Sequence, residues 1–305
     1  MRKAVAVLVV AVWSGSVLAD GEPPEVTKRV PTPAPVSKLT APSTGRIPVA
    51  FVLTKGAVVI DFAGPWEVFQ DVHVPTRGMD DAMPFELYTV SDTKDAIRTS
   101  GGMQVVPDHT FDDAPQPRII VIPAQAGESP RMLEWIRQMA PRTDVIMSVC
   151  TGAFVLGSTG LLAGKEATTH HSAYKTFAVQ FPDVRVERGV RFVDNGNVAS
   201  AGGLSSGIDL ALHVVERYFG RDVATSTAYQ MEYQGQGWLH PESNAEYAKH
   251  PASTAAHPLC PVCDMEVDPA SAPKSVFGNK TYYFCSTDDK ATFDAAPQRW
   301  INALN

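Results

Sequence analysis

Cysteine is scarce in this chain of 305 residues. There are four: Cys150 stands alone, and Cys260, Cys263 and Cys285 cluster near the C-terminus. So few thiols exclude a disulfide-framed scaffold, and their grouping points to two separate uses. Basic charge is also short, with a net charge of −7. That excludes a general nucleic-acid binder, which needs a basic face. Past the first nineteen residues no apolar run is long enough to span a bilayer.

What is present begins with an export pattern. Arg2 and Lys3 precede "AVAVLVVAVW", and "SVLA" then sets small residues ahead of Asp20. Charge, apolar core and small-residue site in that order predict a signal peptide over 1–19 and a periplasmic or secreted protein. The stretch 20–46 is rich in Pro, Ser and Thr without apolar periodicity and reads as a solvated linker. The remaining length suits a main domain over 47–238, a second linker over 239–256 and a small module over 257–301.

Within the main domain, "IPVAFVLT", "FELYTVS", "RIIVIPA" and "DVIMSV" read as short buried strands. "SPRMLEWIRQMA" predicts a helix capped by Ser129, with Pro130 at its first position. "VIDFAGPWEVFQDV" places Asp61 just before a helix with Pro65 in its first turn, where Asp61 can serve as N-cap. "TGAFVLGSTGLLAG" reads as one helix ended by glycine, and "SAYKTFAVQF" as one opened by Ser172. "VRVERGVRFVDNGNVASA" predicts a hairpin turning at Asp194-Asn195-Gly196. "LSSGIDLALHVVERYFG" is a long helix stopped by Gly220. Strands alternating with helices imply an α/β fold whose mostly parallel sheet is covered on both faces. Ligand crevices in such sheets lie at the carboxyl ends of the strands.

Cys150 falls at such an end, where "DVIMSV" turns into a helix. The turn lifts the side chain from the sheet and sets the sulfur beside the free amides of the helix start, from Thr151 onward. That environment favours a thiolate near neutral pH and can steady an anionic intermediate. Gly152 and Ala153 leave room for a ligand. The competing reading is an inert buried cysteine.

"SVCTGAFVLGSTGLLAGKEATTHH", with "DFAGPWEVF" upstream and "VASAGGLSSGIDLALHVVERYFG" downstream, resembles the ThiJ/PfpI superfamily. The match is nearest to its isocyanide-hydratase-like branch and to the amidase-like sensor domains of AraC-type regulators. The resemblance runs from about Ile47 to about Trp238. It implies a flavodoxin-like three-layer sandwich with a cysteine nucleophile elbow, no cofactor for this domain, and a homodimer. It also assigns roles: Cys150 as nucleophile, Asp61 as the nearby carboxylate that binds or protonates substrate, and Thr151 as a pocket-facing neighbour. Thr151 stands where protease-like relatives carry histidine, which sets this chain apart from Cys-His hydrolases. His170 follows "ATT" and either approaches the pocket or is structural. In "VIPAQAGES", Ala124 and Gln125 occupy positions where relatives carry glycine. Gln125 and Ala126 are therefore the expected oxyanion-side residues, together with Gly152. The paired helix-turn-helix units of the regulators have no counterpart in the polar sequence after Ala228.

"HPLCPVCDMEVDPASAPKSVFGNKTYYFCSTDDKATFDAAPQRWI" resembles a YHS domain, a small α+β module often attached to heavy-metal transporters and oxidoreductases. Metal-handling members carry a cysteine where Asp289 stands. The expected ligands are Cys260, Cys263 and Cys285, with Asp289, Asp288 or His257 as fourth, for a copper or zinc ion. The alternative is a disulfide between Cys260 and Cys263, or from Cys285 to one of them.

The expectation is an exported cysteine-dependent enzyme, hydratase-like or amidase-like, acting on a small molecule. The alternative is a non-catalytic redox or metal-stress sensor or scavenger with a reactive Cys150.

Overall fold

Side chains alternate through the first strand, β1 (Ile47–Val52): Ile47, Val49 and Phe51 join one buried cluster, Ala50 and Val52 another. Both faces are apolar, so the strand must lie between two layers. The computed structural model describes residues 37–79, 81–249 and 252–302. The expected signal peptide and the linker up to residue 36 lie outside them.

From β1 the chain enters α1 (Val59–Gln70) and then β2 (Phe85–Ser91). A short antiparallel pair follows, β3 (Ile97–Arg98) and β4 (Gln104–Val105), and then β5 (His109–Thr110). Next come β6 (Ile119–Ile122), α2 (Pro130–Met139), β7 (Val145–Val149) and α3 (Gly152–Ser158). A two-strand patch pairs β8 (Glu166–Ala167) with β9 (Arg185–Val186) around α4 (Tyr174–Gln180). The hairpin β10 (Phe192–Asp194) and β11 (Val198–Ala201) precedes α5 (Ser206–Phe219) and α6 (Arg221–Gln230).

Seven strands form the central sheet in the order β10-β11-β7-β6-β1-β2-β5. Only β10 runs antiparallel. One face packs on α1 and α5 through Phe62, Val68, Phe69, Leu210 and Val214. The other packs on α2, α3 and α4 through Met132, Ile136, Leu156 and Phe177. This is the three-layer, mostly parallel α/β architecture that the alternation of elements predicts.

Four local readings need correction. Helix α1 starts at Val59, so Asp61 lies in its first turn, Val58 is the N-cap and Pro65 is interior. A proline there removes the N–H that would have bonded the Asp61 carbonyl. Helix α3 stops at Ser158, because Thr159 Oγ1 donates to the Leu156 carbonyl and Gly160 turns left-handed at φ 81°. Ser172 does not open α4; the His170 ring accepts from the Ser172 amide and caps a single 3-10 turn that leads into the helix.

Both expected linkers touch the domain where they are described. Leu39 N–H donates to the Arg217 carbonyl at 2.8 Å, and Arg77 donates to the Pro42 carbonyl at 2.7 Å. Residues Pro241–Ala248 form 3-10 turns, and Tyr247 stacks on His171 with ring centroids 4.9 Å apart. Contacts made largely through backbone groups and single rings leave no periodic trace in sequence.

The C-terminal segment pairs β12 (Lys274–Phe277) with β13 (Lys280–Tyr283) and ends in α7 (Thr287–Ala295) and α8 (Pro297–Asn302). Its small core joins Cys260, Val262, Phe284, Phe293 and Trp300, and Val179 of α4 packs against it. No helix among the described residues is long and apolar enough to cross a membrane.

Candidate active site

Strand β7 ends at Val149 and α3 begins at Gly152. Cys150 makes the turn between them with φ 58°, a left-handed conformation that non-glycine residues rarely adopt. Neighbouring groups hold it there. Its N–H donates to the carbonyls of Gly202 at 2.9 Å and Ala201 at 3.2 Å, and its own carbonyl accepts from Thr169 Oγ1 at 2.9 Å. Backbone strain kept by surrounding contacts is a mark of functional turns.

Cys150 is 7% exposed and packs among the residues of the α1–α5 face. The Thr151 amide and hydroxyl and the Leu204 amide all act on it as hydrogen-bond donors. Leu204 is itself left-handed, at φ 43°. These donors do not yield a thiolate at neutral pH. Burial first, and the Asp61 charge second, push the thiol up to about 11. The expectation of a resting thiolate is therefore overturned: desolvation of the charged sulfur outweighs the helix-start amides.

Asp61 is fully buried. Its Oδ2 accepts from the Ala124 amide at 3.1 Å, and its Oδ1 has no hydrogen-bond partner among the described residues. Burial raises its carboxyl to about 6, against the pull of the Ala124 amide and of the Cys150 thiol. Acid and thiol thus influence each other directly and titrate as a coupled pair.

The turn after β6 differs from the expectation. The Ala126 amide donates to the Lys55 carbonyl at 2.9 Å, so that N–H is already committed and cannot serve as an oxyanion donor in this conformation. Gln125 turns its Oε1 to Thr54, accepting from N–H at 2.8 Å and Oγ1 at 3.0 Å, while its Nε2 is buried with no partner among the described residues. Gly152 does not open space for a ligand. A Cβ there would sit 2.2 Å from the Ile122 carbonyl oxygen, so its glycine lets the elbow pack on the end of β6.

His170 is tied to its own turn. Its Nδ1 lies 2.8 Å from Ser172 Oγ, and its ring packs where a Gly203 Cβ would be. Burial and the neighbouring His171 lower its pKa. With His171, Arg191, Leu204 and Tyr247 it lines a cavity of ≈ 220 Å³. Leu204 and Thr169 escaped sequence reasoning because they act through backbone groups or hold backbone, and Ala124 was read for its place in the turn rather than as the donor to Asp61. The only sequence signal was the paired glycines before Leu204.

The sequence model of the DJ-1/PfpI family matches residues 48–217, more than half of the chain. This chain belongs to the DJ-1/PfpI family. The isonitrile hydratase of Pseudomonas putida is 33% identical over 195 residues, covering 61% of this chain and 78% of that enzyme. The HTH-type transcriptional regulator CdhR of Pseudomonas aeruginosa is 27% identical, covering 44% of this chain but 41% of the regulator. A ThiJ/PfpI family protein from Pseudomonas syringae superimposes with a TM-score of 0.56 at 25% identity, over 69% of this chain and 84% of that one. The family therefore includes enzymes and regulators, and the elbow of this DJ-1/PfpI domain has to be judged on its own chemistry.

A second cluster lies in the C-terminal segment, outside the matched residues. Sulfurs of Cys260, Cys263 and Cys285 and a carboxylate oxygen of Asp289 all lie within 4.8 Å of one another. Cys260 and Cys285 each donate to Asp289 Oδ2 at 3.2 Å, and the Cys263 and Cys285 sulfurs are 3.4 Å apart. All three thiols are free, so neither disulfide alternative is formed here. The Cys263 thiol and nearby amides pull Cys260 down to about 6. Three thiols and one carboxylate converging in this way fit a four-coordinate soft or borderline ion. His257 pairs instead with exposed Glu266, and Asp288 is not in the cluster.

Proposed function

We propose that this chain is a cysteine-dependent hydratase that adds water to a small molecule through sulfur attack, with isocyanides as its first substrate class. The observation that carries the reading is the buried acid–thiol pair: Cys150 held left-handed at the elbow, with Asp61 beside it. The similarity to an isonitrile hydratase supports the substrate class.

A protonated thiol suits this chemistry. An isocyanide carbon accepts both a nucleophile and a proton. The Cys150 S–C bond forms while the thiol proton passes by way of Asp61 to the same carbon, giving an N-substituted thioimidate. A carboxyl tuned to about 6 can take and return that proton near neutral pH. Water then adds across the C=N bond, the C–S bond breaks, and sulfur leaves as thiol with an N-substituted formamide as product. The Thr151 and Leu204 donors steady the charge on sulfur as that bond forms and breaks.

The test is turnover of a panel of isocyanides, amides and 2-oxoaldehydes by wild type, Cys150→Ser and Asp61→Asn. Formamide production by wild type that falls by about 10²-fold or more in both variants supports the reading. Equal activity in wild type and Cys150→Ser would sink it. A redox sensor becomes the better account if no substrate turns over while peroxide oxidises Cys150.

We also propose that Cys260, Cys263, Cys285 and Asp289 hold a copper or zinc ion, which staples a module whose own apolar core is small.

A further inference from the structure

The thiol cluster does not stand alone. Its loop is seated on α4 of the DJ-1/PfpI domain. Thr176 Oγ1 donates to the Val262 carbonyl at 3.0 Å, and Arg299 donates to the Val179 carbonyl. Lys175, one residue before Thr176, has a side chain that is 1% exposed. Its Nζ meets Asp264 Oδ1 at 2.9 Å. Asp264 is the residue directly after Cys263 and is left-handed, at φ 58°.

Burying an ammonium against a single carboxylate is costly, and main-domain packing gives no reason for it at this position. The thiol cluster does. Three thiolates and a carboxylate carry four negative charges, so a divalent ion leaves the centre at about −2 and Cu(I) at about −3. A centre that is partly removed from water needs fixed positive charge nearby. Burial lowers the pKa of Lys175, and the bond to Asp264 and the charges of Asp264 and Cys260 oppose that. Arg188, which stacks 5.0 Å over the Tyr174 ring, also faces Asp264. Two cations of the main domain thus border the loop that carries two of the sulfurs.

We propose that Lys175 is the outer charge partner of the Cys260–Cys263–Cys285–Asp289 centre, so that the DJ-1/PfpI domain completes the metal site of the C-terminal segment. This rests on the metal reading above. Metal binding and the seating of residues 260–264 on α4 then favour each other, since the negative centre is stabilised only where Lys175 faces it.

The experiment uses the full chain with Cd2+ as an optical probe and Zn2+ in chelator competition. Wild type should show a sulfur-to-cadmium charge-transfer band. Lys175→Met should weaken Zn2+ binding by about 10–100-fold, as loss of an outer-sphere partner does, and Lys175→Arg should restore most of it. Asp264→Asn separates charge from docking, since asparagine tolerates the left-handed backbone. A charge partner predicts Zn2+ binding as tight as wild type or tighter in this variant, because a competing anion is gone. Wild-type affinity in Lys175→Met overturns the proposal. So does an Asp264→Asn loss as large as that of Lys175→Met, which would make Lys175 a docking peg only. If Lys175→Met does not fold, the Asp264→Asn result decides alone. Absence of the cadmium band in wild type overturns the metal reading itself, and this inference with it.

Discussion

Asp61 keeps one carboxylate oxygen on the Ala124 amide and leaves the other buried without a hydrogen-bond partner among the described residues. That arrangement costs stability at working pH. Its folded pKa of about 6 lies above the ordinary 3.8, so the folded chain holds this proton harder than the unfolded one. Stability from this group is present at low pH and is lost as pH rises through about 6. Asp61→Asn should therefore be more stable than wild type at pH 7.5, by up to about 3 kcal/mol. It should show no gain at pH 3, and denaturant unfolding at the two pH values checks both. The same variant removes the charge that helps hold the Cys150 thiol up near 11. Its pH profile of Cys150 alkylation by iodoacetamide, read by mass spectrometry, should shift to lower pH while turnover falls. The identities of Cys150, Asp61 and Thr151 were legible in the sequence because side chains carry those roles. The protonation state was not, since desolvation depends on what the fold packs around the sulfur.

The elements around the elbow depend on a few exact fits. Gly152→Ala would drive a Cβ into the Ile122 and Pro123 carbonyls, at 2.2 Å and 2.8 Å. It should destabilise the chain by at least about 1–3 kcal/mol and lower turnover as the elbow is displaced. Helix α2 offers the contrast. Ser129 Oγ accepts from the Met132 amide at 3.0 Å and lies far from the acid–thiol pair in the chain. Ser129→Ala should cost about 1 kcal/mol, seen as a lower Tm, with unchanged kcat. The cap and the first-position proline of α2 were readable because capping is local. The start of α1 was not. Pro65 suggested a first turn, yet Val59 and Asp61 already lie in the helix, held by Val58 and Ser100 through contacts distant in sequence.

Across the whole molecule two centres sit on one domain: the elbow at the carboxyl end of β7 and the thiol cluster on α4. If the cluster holds a metal, Zn2+ should raise the Tm of the full chain in proportion to its affinity, and Cys260→Ser or Asp289→Asn should abolish the rise. Calorimetry with and without chelator tests this, with Cys150→Ser as a control that keeps the shift. The sequence by itself determined the α/β class, the elbow cysteine and the grouping of Cys260, Cys263 and Cys285, while the fourth donor stayed open among Asp289, Asp288 and His257. Periodicity, turn chemistry and cysteine spacing are local, and they survive without coordinates. Tertiary structure alone decided which amides are free, that Ala126 is committed to Lys55, that burial pushes the thiol up, and that Lys175 of α4 pairs with Asp264, the neighbour of Cys263. Each of these depends on groups far apart in the chain and on how much water the fold excludes between them.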